Sequence, residues 1–438
     1  MKPKGLLVAV ALLAVLGGLT WWSNKKQAAA SKSTDTTVKI LSVPDDQLQE
    51  IKLTKRGAEP LDVRREKGKW QITAPKPYAA DQDAVGTLTS NLTTLNADKV
   101  IEDKAADLAP YGLNAPSLDV LVTRKDGKTD DLQVGDDTPT GSGAYAKLAT
   151  DPRVFTIGSY IKSSLDKGVN DLRDKRLLTF DQDKLTRVEL EAKGQSIEFG
   201  KNSQNEWTIV KPRPLRADST AVDTLIGKLR DAKMDLTVPE EEAKKAAASF
   251  ASGTKVAVAS TTDPSGNQTL EVRKDKDKNY YAKSSMVEGV YKIASDVGDG
   301  LDKGLDDFRN KKLFDFGFSD PSKLDVQGST YTKSGDKWMS GSKTMDNSTV
   351  QTLIDKLRDL AATKFADKGA GNPVFQATVT SDSGKRVEKV TISKQGDQYF
   401  AQRENEPSIY ELDATAVDDL QKAASGVKEQ APPQPKKK

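Results

Sequence analysis

The chain of 438 residues contains no cysteine and no histidine. Without cysteine there is no disulfide framework and no thiolate metal site. Without histidine or cysteine the commonest general bases and nucleophiles are gone. Aromatic residues are scarce at 6% and apolar residues reach only 36%, whereas 30% are charged. That describes well-solvated domains with modest cores, not a polytopic membrane protein. An excess of one charge is also missing: 67 Lys and Arg face 64 Asp and Glu, a net +3. The balance excludes the basic footprint of a nucleic-acid binder.

Long apolar runs are lacking with one exception. Lys2 and Lys4 precede Gly5–Trp22, which carry no charge. As a helix this run measures roughly 27 Å, close to the hydrocarbon thickness of a bilayer. Trp21-Trp22 and Lys25-Lys26 suit its outer interface. The expectation is a single transmembrane anchor over 5–22, with 1–4 in the cytoplasm, in a bacterial inner membrane. The bulk of the chain then lies in the periplasm or otherwise outside the cytoplasm. The competing reading is a signal peptide cleaved near Ala28-Ala29-Ala30. Residues 23–40 read as a tether. Residues 427–438, rich in Pro and Lys, read as a disordered basic tail.

Between them the chain repeats itself. Trp70, Trp207 and Trp338 each follow a turn-like stretch, and each precedes an Asp (Asp81, Asp218, Asp346) that opens a helical pattern. Apolar residues then fall on one stripe, as in Val222, Leu225, Ile226 and Leu229, or Val350, Leu353, Ile354 and Leu357. The Asp carboxylate suits an N-cap. Strand-like pairs follow: Tyr145-Ala146-Lys147 and Val154–Ile157 align with Tyr281-Ala282-Lys283 and Val290–Ile293. Asp171–Leu178, which includes Arg173, aligns with Asp307–Phe314, which includes Arg309. The offset is 137 residues from Trp70 to Trp207 and 136 from Asp171 to Asp307. Fixed spacing predicts copies of one structural unit. The expected fold is therefore α+β, with three tandem repeats behind the anchor, each a small, mostly antiparallel sheet with two helices. The repeats span 41–178, 179–314 and a shortened 315–426. In the first, a helix is expected over about 81–95 and another over about 159–167.

Chemistry-bearing motifs all have plainer explanations. Ser164-Leu165-Asp166-Lys167 matches an S-x-x-K spacing, but the aligned Gly300-Leu301-Asp302-Lys303 loses the Ser. Gly341-Ser342-Lys343-Thr344 resembles the end of a phosphate loop and reads instead as a connection from strand to helix. Glu240-Glu241-Glu242 suits the first turn of a helix, and Asp275-Lys276-Asp277 a turn between strands. The three Trp residues would serve sugar stacking or core packing, and their strand setting favours the core. Tyr111-Gly112-Leu113, ahead of Pro116, reads as a turn present once only. No catalytic, cofactor-binding or metal-ligating residue is expected, and no cofactor.

Gly68-Lys69-Trp70, Pro75, Pro77, Ala80-Asp81, Val85 to Leu88, Tyr111-Gly112-Leu113 and Arg173-Asp174-Lys175-Arg176-Leu177-Leu178 together resemble the bacterial domain-of-unknown-function 4340 family. The resemblance is best in the first two repeats; the third lacks the Pro residues, the Tyr-Gly-Leu and the closing segment. The family brings no activity or catalytic residue with it. The resemblance implies an envelope protein associated with ABC-type transporter or gliding-motility-like components. The expected function is a non-enzymatic interaction arm with protein partners; the alternative is a periplasmic glycan- or lipid-binding module.

Overall fold

The computed structural model describes residues 38–317, 321–369 and 371–431. The expected anchor over 5–22, the tether up to residue 37 and the tail from 432 lie outside the described residues. Among the described residues no helix is long and apolar enough to cross a membrane.

The fold is α+β, built of antiparallel sheets with eight α-helices among the described residues. These are α1 (Gln82–Thr93), α2 (Ser159–Leu165), α3 (Val169–Leu172), α4 (Ser219–Arg230), α5 (Glu240–Ser252), α6 (Ser295–Leu301), α7 (Asn347–Asp359) and α8 (Ala414–Ser425). The chain divides after Lys175 into two compact parts. The first part holds a nine-stranded sheet; the second holds sheets of eight and nine strands.

All three large sheets follow the same path. A meander of four strands leads into a helix, and the chain returns to lay a second meander beside the first strand of the first. In the first sheet, Leu48–Lys55, Leu61–Glu66, Lys69–Ala74 and Tyr78–Ala79 run outward to one edge. After α1, Leu118–Arg124 pairs back onto Leu48–Lys55, with Ile51 opposite Val122. Arg187–Ala192 and Thr254–Asp263 make this central pair in the second sheet. Lys323–Val326 and Asn372–Ser381 make it in the third.

Period-two alternation buries one face of each sheet under its helices. Val63, Ile72, Val120 and Val134 share a core with Val85, Leu88 and Leu92 of α1. Val188, Ile209 and Ala259 meet Val222, Leu225 and Leu229 of α4. Leu324, Val379 and Ile392 meet Val350, Leu353 and Leu357 of α7.

Several expectations need correction. The first helix ends at Thr93, because Thr94–Asn96 leaves it to pair with Lys39–Ser42. The sheets are not small: Lys99–Glu102 and Ala362–Ala366 add an outer strand to the first and third, beside Val154–Gly158 and Ile409–Leu412. Among the described residues the second sheet lacks that strand. Its chain makes one matching bond, Asp235 N–H to Lys292 C=O at 2.9 Å, then turns away at Pro239 into α5. With α3 and α5 present, two helices per sheet holds only for the third. Leu177 and Leu178 pack in the core of the second sheet, and Leu313 and Phe314 in that of the third. Residues 427–430, expected in the tail, are held in place: Gln430 N–H donates to Thr344 C=O at 2.9 Å, and Lys343 pairs with Glu429 at 3.0 Å.

Candidate functional site: a charged junction between the second and third sheets

The residues singled out from the sequence are spread over the three sheets and their helices. Trp70, Trp207 and Trp338 are buried. Each of the three Asp residues caps a helix. Asp81 Oδ1 accepts from the amides of Asp83 and Ala84, Asp218 from Ala221, and Asp346 from Ser348 and Thr349. The backbone amide of each cap also donates outward, to Leu172 C=O, Phe308 C=O and Lys428 C=O, all at 2.8 Å. Beside those bonds run the single bridges Ala80–Arg173, Ala217–Arg309 and Met345–Glu429. Arg173 and Arg309 thus occupy one backbone position, and each guanidinium lies over an aromatic ring. Arg173 stacks over Tyr78 at 4.1 Å, and Arg309 over Phe365 at 3.3 Å.

The densest polar cluster is elsewhere, in the second compact part. Leu215–Arg216 is the short edge strand of the second sheet, and its last residue points a guanidinium into the third. Arg216 Nε donates to Glu406 Oε2 at 3.1 Å, Nη1 to Asp315 Oδ2 at 2.5 Å, and Nη2 to Tyr410 Oη at 3.0 Å and to the Lys312 carbonyl. Tyr410, fully buried on Ile409–Leu412, donates its hydroxyl to Glu406 Oε1. Arg403 reaches the same group from the neighbouring strand, with Nε 3.0 Å from Glu406 Oε2 and Nη2 3.0 Å from Glu388 Oε1. Glu388 in turn accepts the Asp315 amide at 2.9 Å. Asn310 Nδ2 donates to Asp315 Oδ1 at 2.8 Å. Two guanidinium groups therefore face three carboxylates, with one phenol between them.

Burial and pairing compete in the electrostatics. Burial alone would lower the Arg216 pKa, but Asp315, Tyr410 and Glu406 outweigh it and hold the group above its ordinary value. Burial alone would raise Asp315; the charges of Arg216 and Arg403, with hydrogen bonds from Arg216 and Asn310, hold it below the usual carboxylate range. Tyr410 is pushed up to about 12, first by burial and then by Glu406, against the pull of Arg216.

Above this cluster opens a cleft of about 530 Å³ between two hairpin tips. Asn202, Gln204 and Glu206 form one wall, and Asp382, Lys385, Arg386 and Val387 the other. Glu206 and Arg386 bridge it at 3.0 Å. Most of its polar lining is engaged within the protein: Asn202 Oδ1 caps its own turn, Thr208 Oγ1 donates to Gly200 C=O, and Asn310 Oδ1 accepts the Lys312 amide. The arrangement joins two sheets.

At the matching register the second sheet makes the same two contacts with neutral groups. Gln268 Oε1 accepts the Thr179 amide at 2.7 Å, as Glu388 accepts that of Asp315. Ser284, opposite Leu270, donates to the Leu177 carbonyl, as Arg403, opposite Val390, donates to that of Leu313. Sequence reasoning missed Arg216, Asp315, Glu388, Arg403, Glu406 and Tyr410. Part of the signal was available: Asp315, Glu388 and Arg403 stand where the second sheet carries Thr179, Gln268 and Ser284, whereas Tyr410 aligns with Tyr291 and gave none.

No curated protein and no solved structure matches the chain. The model of the family described as Domain of unknown function (DUF4340) matches residues 70–248 and again, overlapping, 207–383. With far more than half of its length covered by these two matches, the chain belongs to the DUF4340 family.

Proposed function

We propose that this chain is a non-catalytic, membrane-anchored envelope protein whose three sheets are serial copies of one unit. Together they act as an interaction arm for a membrane-bound partner. The carrying observation is the junction: its charged side chains are engaged with one another, and their effect is to join two sheets. The shared strand order of the three sheets supports the serial copies. So do the two family matches, whose starts at 70 and 207 fall on Trp70 and Trp207. The uncharged run over 5–22 supports a single-pass anchor in the bacterial inner membrane, with the sheets in the periplasm. ABC-type transporter or gliding-motility-like subunits are the partner class this reading names.

A second reading, binding of a glycan, draws on the cleft, whose volume lies in the range of ligand pockets. Its charged lining favours a glycan over a lipid tail. Crosslinking cells, solubilising the tagged full-length protein in mild detergent and identifying what accompanies it tests the first reading. Co-purifying transporter subunits are expected. A preparation that carries glycan and no protein would replace the arm by the binding module.

A further inference from the structure

Arg216 differs from an ordinary surface ion pair. It leaves the last position of an edge strand, yet every partner of its side chain belongs to residues 312–410. Its nitrogens are divided among two carboxylates, a buried phenol and a carbonyl, and the planar fork makes each contact directional. Two further ties run in parallel. Arg309, itself buried, donates to Ser408 Oγ at 3.0 Å, and Arg386 reaches Glu206 from the third sheet to the second. Residues 176–438 form one compact part although they contain two sheets with separate cores.

We propose that Arg216 and its acidic receiver form a lock that holds the second and third sheets as one rigid body, and that this lock is specific to that pair of sheets. Rigidity follows because rotation of one sheet against the other would withdraw a largely buried guanidinium from all its acids at once, leaving uncompensated charges. Specificity follows from the receiver. The third sheet offers Arg216 the carboxylates of Asp315 and Glu406, whereas the second carries uncharged Thr179 and Val287 at the corresponding positions. An edge strand ending in Arg216 that docked on the neutral receiver of another copy would bury its charge without an acid. The charge pattern therefore selects the partner sheet and opposes mispairing between tandem sheets.

The absence of cysteine permits a direct test, since labels attach only where cysteines are introduced. Spin labels are placed in the full chain, in mild detergent, at Asp223→Cys on α4 and Asp359→Cys on α7, both exposed positions. Pulsed dipolar spectroscopy of the labelled parent is expected to give one narrow distance distribution. Adding Arg216→Met should abolish the narrow peak, and Arg216→Lys should recover part of it. A broad distribution in the parent, or an unchanged narrow one in a folded Arg216→Met chain, overturns the proposal. If circular dichroism shows that Arg216→Met does not fold, Glu406→Gln takes its place, with the same two outcomes deciding.

Discussion

Trp207 illustrates what one residue contributes. Its ring closes the core of the second sheet beside Ile209 and Leu225, and Lys201 Nζ lies 5.1 Å from the ring centroid. Replacing Trp207 with Ala removes a large apolar side chain and leaves a cavity, at an expected cost of about 3–5 kcal/mol. Denaturant unfolding should show that loss; an unchanged midpoint would mean the ring does little for the core. Gly135 shows the opposite constraint. A side chain there would place its first carbon 2.0 Å from the Tyr111 carbonyl oxygen, so the single Tyr-Gly-Leu turn sits against a glycine. Gly112 in that turn has φ of 67°, as its position in the sequence suggested. The turn is thus structural, with Leu113 buried and the Tyr111 hydroxyl donating to Glu102.

At the scale of elements, helix starts were the most legible feature. A cap is a local device, set by one side chain and the next three amides, so Asp81, Asp218 and Asp346 could be read without knowing the fold. Asp346 holds two backbone amides and the Ser348 hydroxyl. Asp346→Ala should therefore destabilise the fold, measured as a lowered unfolding midpoint. Asp346→Asn, which still accepts, should lower it little. Strand ends were less legible. Lys99–Glu102 pairs with Val154–Gly158, more than fifty residues on, and nothing local in Lys99-Val100-Ile101-Glu102 announces that edge position. A partner strand more than forty residues on hid Ala362–Ala366 in the same way.

For the whole molecule, the junction gives stability a pH dependence. Asp315 is held below its ordinary value of 3.8, so the folded state binds its proton less readily than the unfolded chain does. Its contribution is fully present above that ordinary value and is lost as pH falls through the lower folded one. Unfolding followed from neutral pH down to about 3 should show stability falling more steeply in the parent than in Asp315→Asn. Equal slopes would remove Asp315 from the junction's energetics. Because Arg216, Arg403 and Asp315 act together, the Asn variant should also be less stable at neutral pH.

The sequence by itself determined what is local or periodic: the helix caps, the apolar stripes of α4 and α7, the alternating strands and the burial of the three Trp rings. It also carried the family membership, since motif order along the chain needs no coordinates. Tertiary structure decided what depends on which distant segments meet. The closing segments look on the sequence like the ends of the sheets they follow, yet Leu177-Leu178 and Leu313-Phe314 enter the next core, because the connector leaves the edge strand of its own sheet only after Asp174 and Asn310. Arg216, Asp315, Glu388, Arg403 and Glu406 are ordinary surface residues on any linear reading. Only the docking of one sheet's edge against the next buries them together, and burial turns a scatter of charges into a junction.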